Sequence, residues 1–101
     1  MHTQKCIVDL SVTPMGKSSS VSEEMVQIQK IIKKSGLSHQ MHAEGTNIEG
    51  DWDTVFTVIR ECHEKLHEKG IARISSNIRI STRTDKQQTI QGKLDRVNKQ
   101  L

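Results

Sequence analysis

A chain of 101 residues has the length of one domain, and with a net charge of only +3 and a single Trp and a single Phe it lacks the basic, aromatic-interleaved surface of a nucleic-acid binder. Its densest basic cluster, Lys30, Lys33 and Lys34, falls where lysines complement a helix C-terminus. No apolar run approaches a membrane span, and the opening "MHTQKCIVDL" is too charged and alternating for a signal peptide. The expectation is therefore a soluble cytoplasmic protein with no membrane partner, in which Cys6 and Cys62 stay reduced and serve as small buried hydrophobes.

Taken in chain order, Cys6, Val8, Leu10 and Val12 alternate with Ile7, Asp9, Ser11 and Thr13, which predicts a half-buried strand stopped by Pro14 and Gly16. "SVSE", Ser20 to Glu23, has capping-box spacing. Behind it Val21, Met25, Ile28 and Ile32 recur at helical spacing with Ile31 beside them, and Gly36 suits a C-cap, so a helix is predicted over 21–35. Leu37, His39, Met41 and Ala43 form one face of a second strand. Gly45 then punctuates the chain before a short third strand, "TNIE", with Thr46 and Ile48 on one side and Asn47 and Glu49 on the other. Gly50 ends that strand and Asp51 caps a second helix, whose stripe is Val55, Ile59, Cys62 and Leu66 and which Gly70 closes. "IARISSNIRIS" alternates again, with Ala72, Ile74, Ser76, Ile78 and Ile80 on one face. A last helix, capped by Asp85 and Gln88, carries Ile90, Leu94, Val97 and Leu101, and Gly92 weakens it.

This order predicts an α+β fold: a ferredoxin-like βαββαβ sandwich with an antiparallel sheet of order 4-1-3-2, helices on one face, and an extra C-terminal helix, all in a single domain, 1–101. The second sheet face then carries Asp9, Ser11, Asn47, Glu49, Ser75, Asn77 and Arg79. Such a face is wet, or an oligomer interface, or the wall of a polar pocket. A thin aliphatic core and open sheet edges favour a homo-oligomer, dimer or tetramer.

Three local patterns test for catalysis. "HEKLH", His63 to His67, has the spacing of a helical zinc site, but a catalytic zinc needs a third protein ligand. The extended protease pattern requires His at position 73, where this chain has Arg73, and no Glu follows Glu68 to supply the alternative carboxylate. "GKSS" from Gly16 resembles the end of a phosphate-binding loop, yet Ser11 stands where its first glycine belongs. His39 and His42 fall on opposite strand faces, so they make poor joint ligands. The expectation is a protein with no catalytic residues, no metal and no cofactor.

The combination of "DLSVTPMG", "HAEGTNIEGDWD" and "STRTDKQQTIQGKLDRV" resembles the small thiamine-binding-type family related to the bacterial protein YkoF. Gly45, Thr46, Ile48, Glu49 and Gly50 form the heart of the signature, followed by an amphipathic helix and then by Arg83, Asp85 and Lys86. The likeness runs over about residues 5 to 98. It implies a ferredoxin-like fold with an added helix, association into dimers or tetramers, and non-enzymatic binding of thiamine or its hydroxymethylpyrimidine moiety. A cationic thiazolium and a flat aminopyrimidine call for a carboxylate, hydrogen-bonding edges and an apolar or aromatic wall. Glu49 or Asp9 is the expected carboxylate, Ser11, Thr46 and Asn77 the hydrogen-bonding groups, and Trp52 the stacking surface. The competing reading is a structural or regulatory homo-oligomer that binds another small ligand or an anion at a subunit interface.

Overall fold

The computed structural model describes residues 4–16 and 21–101. Ser20 and the Lys17–Ser19 part of "GKSS" lie outside the described residues. The elements are β1 (Lys5–Met15), α1 (Ser22–Ser35), β2 (Ser38–His42), β3 (Gly45–Asp51), α2 (Trp52–Glu68), β4 (Arg73–Ser81) and α3 (Ile90–Asn98). The four strands form one sheet of order β2-β3-β1-β4 with every neighbouring pair antiparallel, which is the predicted ferredoxin-like order read from the other edge.

The strand alternation sorts residues as the sequence predicts. Cys6, Val8, Leu10 and Val12 are buried on one face of β1, beside Ile48 of β3. On α2, Val55, Ile59, Cys62 and Leu66 are buried, joined by Val58. Two hydrogen bonds tie this layer to the sheet. Gln29 on α1 donates to the Thr46 hydroxyl at 2.7 Å, and the His63 ring on α2 meets the Ser76 hydroxyl at 2.6 Å. Gly36 closes α1 at φ 77°, a left-handed conformation that costs glycine nothing, and its N–H bonds the Lys33 carbonyl.

Several expectations need correction. β1 does not stop at Pro14 but runs to Met15, with Pro14 opposite Ile74 of β4. β1 pairs with β3 only as far as Leu10, so one flank of the strand is unpaired at Pro14, where a residue with no N–H is tolerated. β3 continues through Gly50 to Asp51, and β2 ends at His42, so Ala43 lies in the turn. The N-cap of α1 is Val21, without a side-chain cap bond. Its buried residues are Glu24, Ile28 and Ile32, and Met25 and Ile31 pack partly buried against the same core, so the predicted stripe holds from Met25 onward and gains Glu24. Asp51 does occupy the N-cap of α2 but makes no side-chain cap bond. The N-cap of α3 is Thr89, whose hydroxyl accepts from Gly92 N–H, and not Asp85 or Gln88.

The largest correction concerns α3. Of its predicted stripe only Ile90 is buried, while Leu94, Val97 and Leu101 are exposed. The helix does not join α1 and α2. It lies against the opposite, polar face of the sheet, where Ile90, Lys93 and Leu94 border a hollow also lined by Ile7, Asp9, Asn47 and Arg79.

Candidate functional site

Strand register places the polar second face in rows. Ser38, Glu49, Ile7 and Ser81 share one row; Gln40, Asn47, Asp9 and Arg79 share the next. The chain leaves β4 at Ser81, crosses as the irregular segment 82–89, and enters α3 above the first row. Glu49 fixes this crossing, because its Oε1 accepts a hydrogen bond from Ile90 N–H at 3.3 Å. Thr89 Oγ1 accepts from Gly92 N–H at 2.9 Å, so two first-turn N–H groups of α3 are satisfied, one locally and one from across the sheet.

Between the sheet end and segment 82–89 lies a cleft of about 730 Å³. Its sheet wall comes from the start of β1, the end of β3 and the start of β2, and includes Cys6, Ile7, Ser38, Glu49 and Gly50. The opposite wall is Arg83, Thr84, Lys86, Gln87, Gln88 and Thr89, and Gln4 and Lys5 close one side. The lining thus combines a carboxylate, several carboxamides and hydroxyls, an aliphatic patch and three basic side chains. Arg83 is committed within its own segment, since its guanidinium grips Asp85 as a fork, with Nε to Oδ1 at 2.6 Å and a second nitrogen to Oδ2 at 2.5 Å. That fork pulls the Asp85 carboxyl down to about 2 and raises the Arg83 guanidinium. Burial, with the Asp51 carboxylate nearby, pushes the Cys6 thiol up, away from the thiolate form.

The expected ligand residues do not come together. Glu49 lines the cleft. Ser11 and Asn77 face each other on the same sheet side but two rows away, outside the cleft lining. Thr46 is buried on the helix side, bonded to Gln29. Trp52 begins α2, is 36% exposed, and stacks on Phe56 with ring centroids 5.4 Å apart and planes 10° from parallel. Glu49 bonds the start of α3 and forms no salt bridge with Arg79, which lies opposite Asp9. Sequence reasoning missed Gln4, Lys5, Ser38, Gln87, Gln88 and Thr89. The signal that could have found the cleft was the signature itself, because Glu49, Gly50, Arg83 and Lys86, far apart in the chain, all line it.

The histidines of "HEKLH" each have a structural partner. His63 Nε2 meets Ser76 Oγ at 2.6 Å, while His67 donates from Nδ1 to the Ile71 carbonyl at 2.8 Å. Their rings are 6.4 Å apart and tilted by 56°. Burial, and then His67, lowers the pKa of His63. Among the described residues no group of three or more His, Cys, Asp or Glu side chains converges as a metal site. His42 is held as the Nε2–H tautomer: its Nδ1 accepts from Glu44 N–H and its Nε2 donates to Asp9 at 2.7 Å. No helix among the described residues is long and apolar enough to cross a membrane.

Similarity to known proteins agrees with this fold. A UPF0045 protein from Synechocystis sp. is 50% identical over 90% of this chain and 75% of its own length. The UPF0045 protein ECM15 of Eremothecium gossypii is 48% identical over the whole of this chain and 94% of its own. Among solved structures, a hypothetical protein from Methanocaldococcus jannaschii superposes with a TM-score of 0.85 at 32% identity, covering 94% of this chain and 97% of that one. A Thermotoga maritima protein provisionally assigned to thiamine biosynthesis/salvage shares the fold at a TM-score of 0.78 and 19% identity, over 92% of this chain and 98% of that one. The sequence profile described as "Thiamine-binding protein" matches residues 8–98, and with relatives of such identity over most of their length the chain belongs to that family, whose UPF0045 members extend across bacteria, archaea and yeast.

Proposed function

We propose that this chain is a non-enzymatic binding protein for thiamine or its hydroxymethylpyrimidine moiety, and that the ligand occupies the cleft between Glu49 and segment 82–89. The observation that carries the reading is that four signature residues far apart in the chain, Glu49, Gly50, Arg83 and Lys86, line one cleft. The chemistry suits a flat, cationic heterocycle. Glu49 offers charge, Ile7 an apolar surface, and the carboxamides of Gln4, Gln87 and Gln88 both donate and accept along a ring edge. Calorimetry against thiamine, its phosphates and hydroxymethylpyrimidine tests the reading. Saturable micromolar binding of at least one is expected; silence toward all of them refutes it.

The protein is further proposed to act as a homo-oligomer. Ile78 and Ile80, each 38% exposed on edge strand β4, and Val97, 60% exposed on α3, leave more apolar surface open than a small monomer hides well. Sedimentation at micromolar concentration is expected to show at least a dimer, and an 11.4 kDa species throughout that range would refute the assembly.

A further inference from the structure

The cleft has a charge pattern that a purely cationic ligand does not match. Its lining holds one carboxylate, Glu49, against the ammonium groups of Lys5 and Lys86 and the guanidinium of Arg83. Arg83 is neutralised by Asp85. Lys5 and Lys86 have no ion-pair partner among the described residues; Asp51 lies opposite Lys5 across the β1–β3 ladder but forms no salt bridge with it and is not part of the lining. A cation seated on Glu49 would therefore add positive charge beside two ammonium groups that hold no ion pair, Lys86 having only the Asp85 carboxylate nearby, which Arg83 already grips.

Register also separates the two signs. Glu49 pairs with Ile7, beside the start of α3, whereas Lys5 pairs with Asp51, one row farther toward the sheet end. Lys86 lies on the facing wall. We infer that the cleft recognises a phosphate monoester of its heterocyclic alcohol ligand, with the heterocycle on Glu49 and Ile7 and the phosphate between Lys5 and Lys86. A phosphate dianion with two ammonium partners forms the stronger, charge-assisted class of hydrogen bond, while hydroxyl and carboxamide groups such as Thr84 and Gln87 are at hand for its remaining oxygens.

This inference rests on the assignment of the ligand to the Glu49 cleft, and one experiment separates the two. Thiamine, thiamine monophosphate and inorganic phosphate are titrated calorimetrically into the wild-type protein and into the Lys5→Gln/Lys86→Gln variant, with thermal unfolding as the folding control. The monophosphate is expected to bind about tenfold or more tightly than thiamine, the equivalent of one charge-assisted contact. In the variant that preference should collapse, because the ester loses both ammonium partners whereas the thiamine cation loses only like-charge neighbours. Equal or weaker binding of the monophosphate overturns the phosphate subsite and leaves the cleft assignment standing. Inorganic phosphate binding as tightly as the ester reduces the site to one for a free anion and overturns the ester. If neither thiamine nor its ester binds, the phosphate subsite falls, and the cleft assignment falls with it when hydroxymethylpyrimidine is silent too.

Discussion

Glu49 is asked to do two things, and the two can be separated by substitution. Its Oε1 accepts from Ile90 N–H at the start of α3, and its carboxylate lines the cleft. α3 has nine residues, too few to be stable alone, so it persists through docking. Docking rests on burial of Ile90, roughly 1.5–3 kcal/mol as an upper figure, on the Thr89 cap at about 1 kcal/mol, and on Glu49. Removing the carboxyl in Glu49→Ala should cost the docked helix about 1 kcal/mol, as loss of a cap does, and speed amide exchange in α3 about fivefold. Central-strand amides of β1 should hardly respond. Glu49→Gln keeps an acceptor oxygen and loses only the favourable charge at the helix N-terminus, about 0.3–1 kcal/mol, so α3 should exchange only a few-fold faster. The same Gln variant should weaken a cationic ligand about tenfold, because a charge-assisted contact contributes roughly 1.5–3 kcal/mol. Hydrogen exchange and calorimetry on both variants decide the matter. Unchanged α3 protection in Glu49→Ala refutes the cap, and unchanged affinity in Glu49→Gln refutes the contact.

Two signature glycines should differ sharply. A Cβ at Gly45 would stand 2.4 Å from the Leu10 carbonyl oxygen, which is backbone, whereas one at Gly50 would meet the far end of the Leu37 side chain at 2.8 Å. Gly45→Ala should therefore cost about 1–3 kcal/mol by urea unfolding and Gly50→Ala less, and the reverse ranking would show that β3 shifts freely. Because His63 is held below the ordinary histidine range, the unfolded chain binds the extra proton first, and stability should fall as pH drops through that range and recover as it rises. His63→Gln should flatten this dependence; an unaltered pH profile would remove His63 from it. Arg83→Lys cannot reproduce the two-pronged grip on Asp85, so it should loosen segment 82–89 and weaken ligand binding, with little change in melting temperature because the pair is exposed; a large drop in melting temperature would contradict that. Zinc analysis of untagged protein should find well under one ion per chain, since His63 Nε2 is engaged by Ser76 and no third ligand stands nearby among the described residues; a stoichiometric ion lost in the His63→Ala/His67→Ala variant would overturn this.

What was legible in the sequence was what periodicity encodes. The alternation through Cys6, Val8, Leu10 and Val12 and the helical repeat through Val55, Ile59, Cys62 and Leu66 are statements about burial, and the core is built from them. Strand order followed from the βαββαβ succession of elements, which is the split-crossover plan. α3 resisted the same reasoning. Four apolar residues at helical spacing establish a helix, but with only Ile90 buried they do not say which sheet face receives it. The face of Ile78 and Ile80 was read correctly from alternation, yet both remain 38% exposed, because alternation fixes a side and not whether anything covers it. The cap of α3 was displaced for a local reason: Thr89, rather than Asp85 or Gln88, holds the N-cap position, and Asp85 instead serves Arg83. Half of the cleft comes from segment 82–89, which has no repeat to detect.

The placement of α3 also explains why a sheet face can carry Asp9, Asn47, Glu49 and Arg79 without becoming either a second core or bare solvent surface. Ile90, the buried residue of the helix, anchors it at the row that includes Ile7 and Glu49, and Lys93 and the half-exposed Leu94 border the hollow over Asp9, Asn47 and Arg79. Asp9 receives His42 and Asn47, so the carboxylate of the neighbouring row is satisfied within the sheet. The chain must cross the sheet end to reach that anchor, and this crossing turns an open end into a cleft. The residues that hold the crossing in place, Glu49 and Thr89, are themselves part of the lining. Helix docking and cleft shape are therefore coupled: a ligand that draws on Glu49 competes with Ile90 N–H for the same carboxylate, unless it uses the second oxygen, which the α3 bond does not engage.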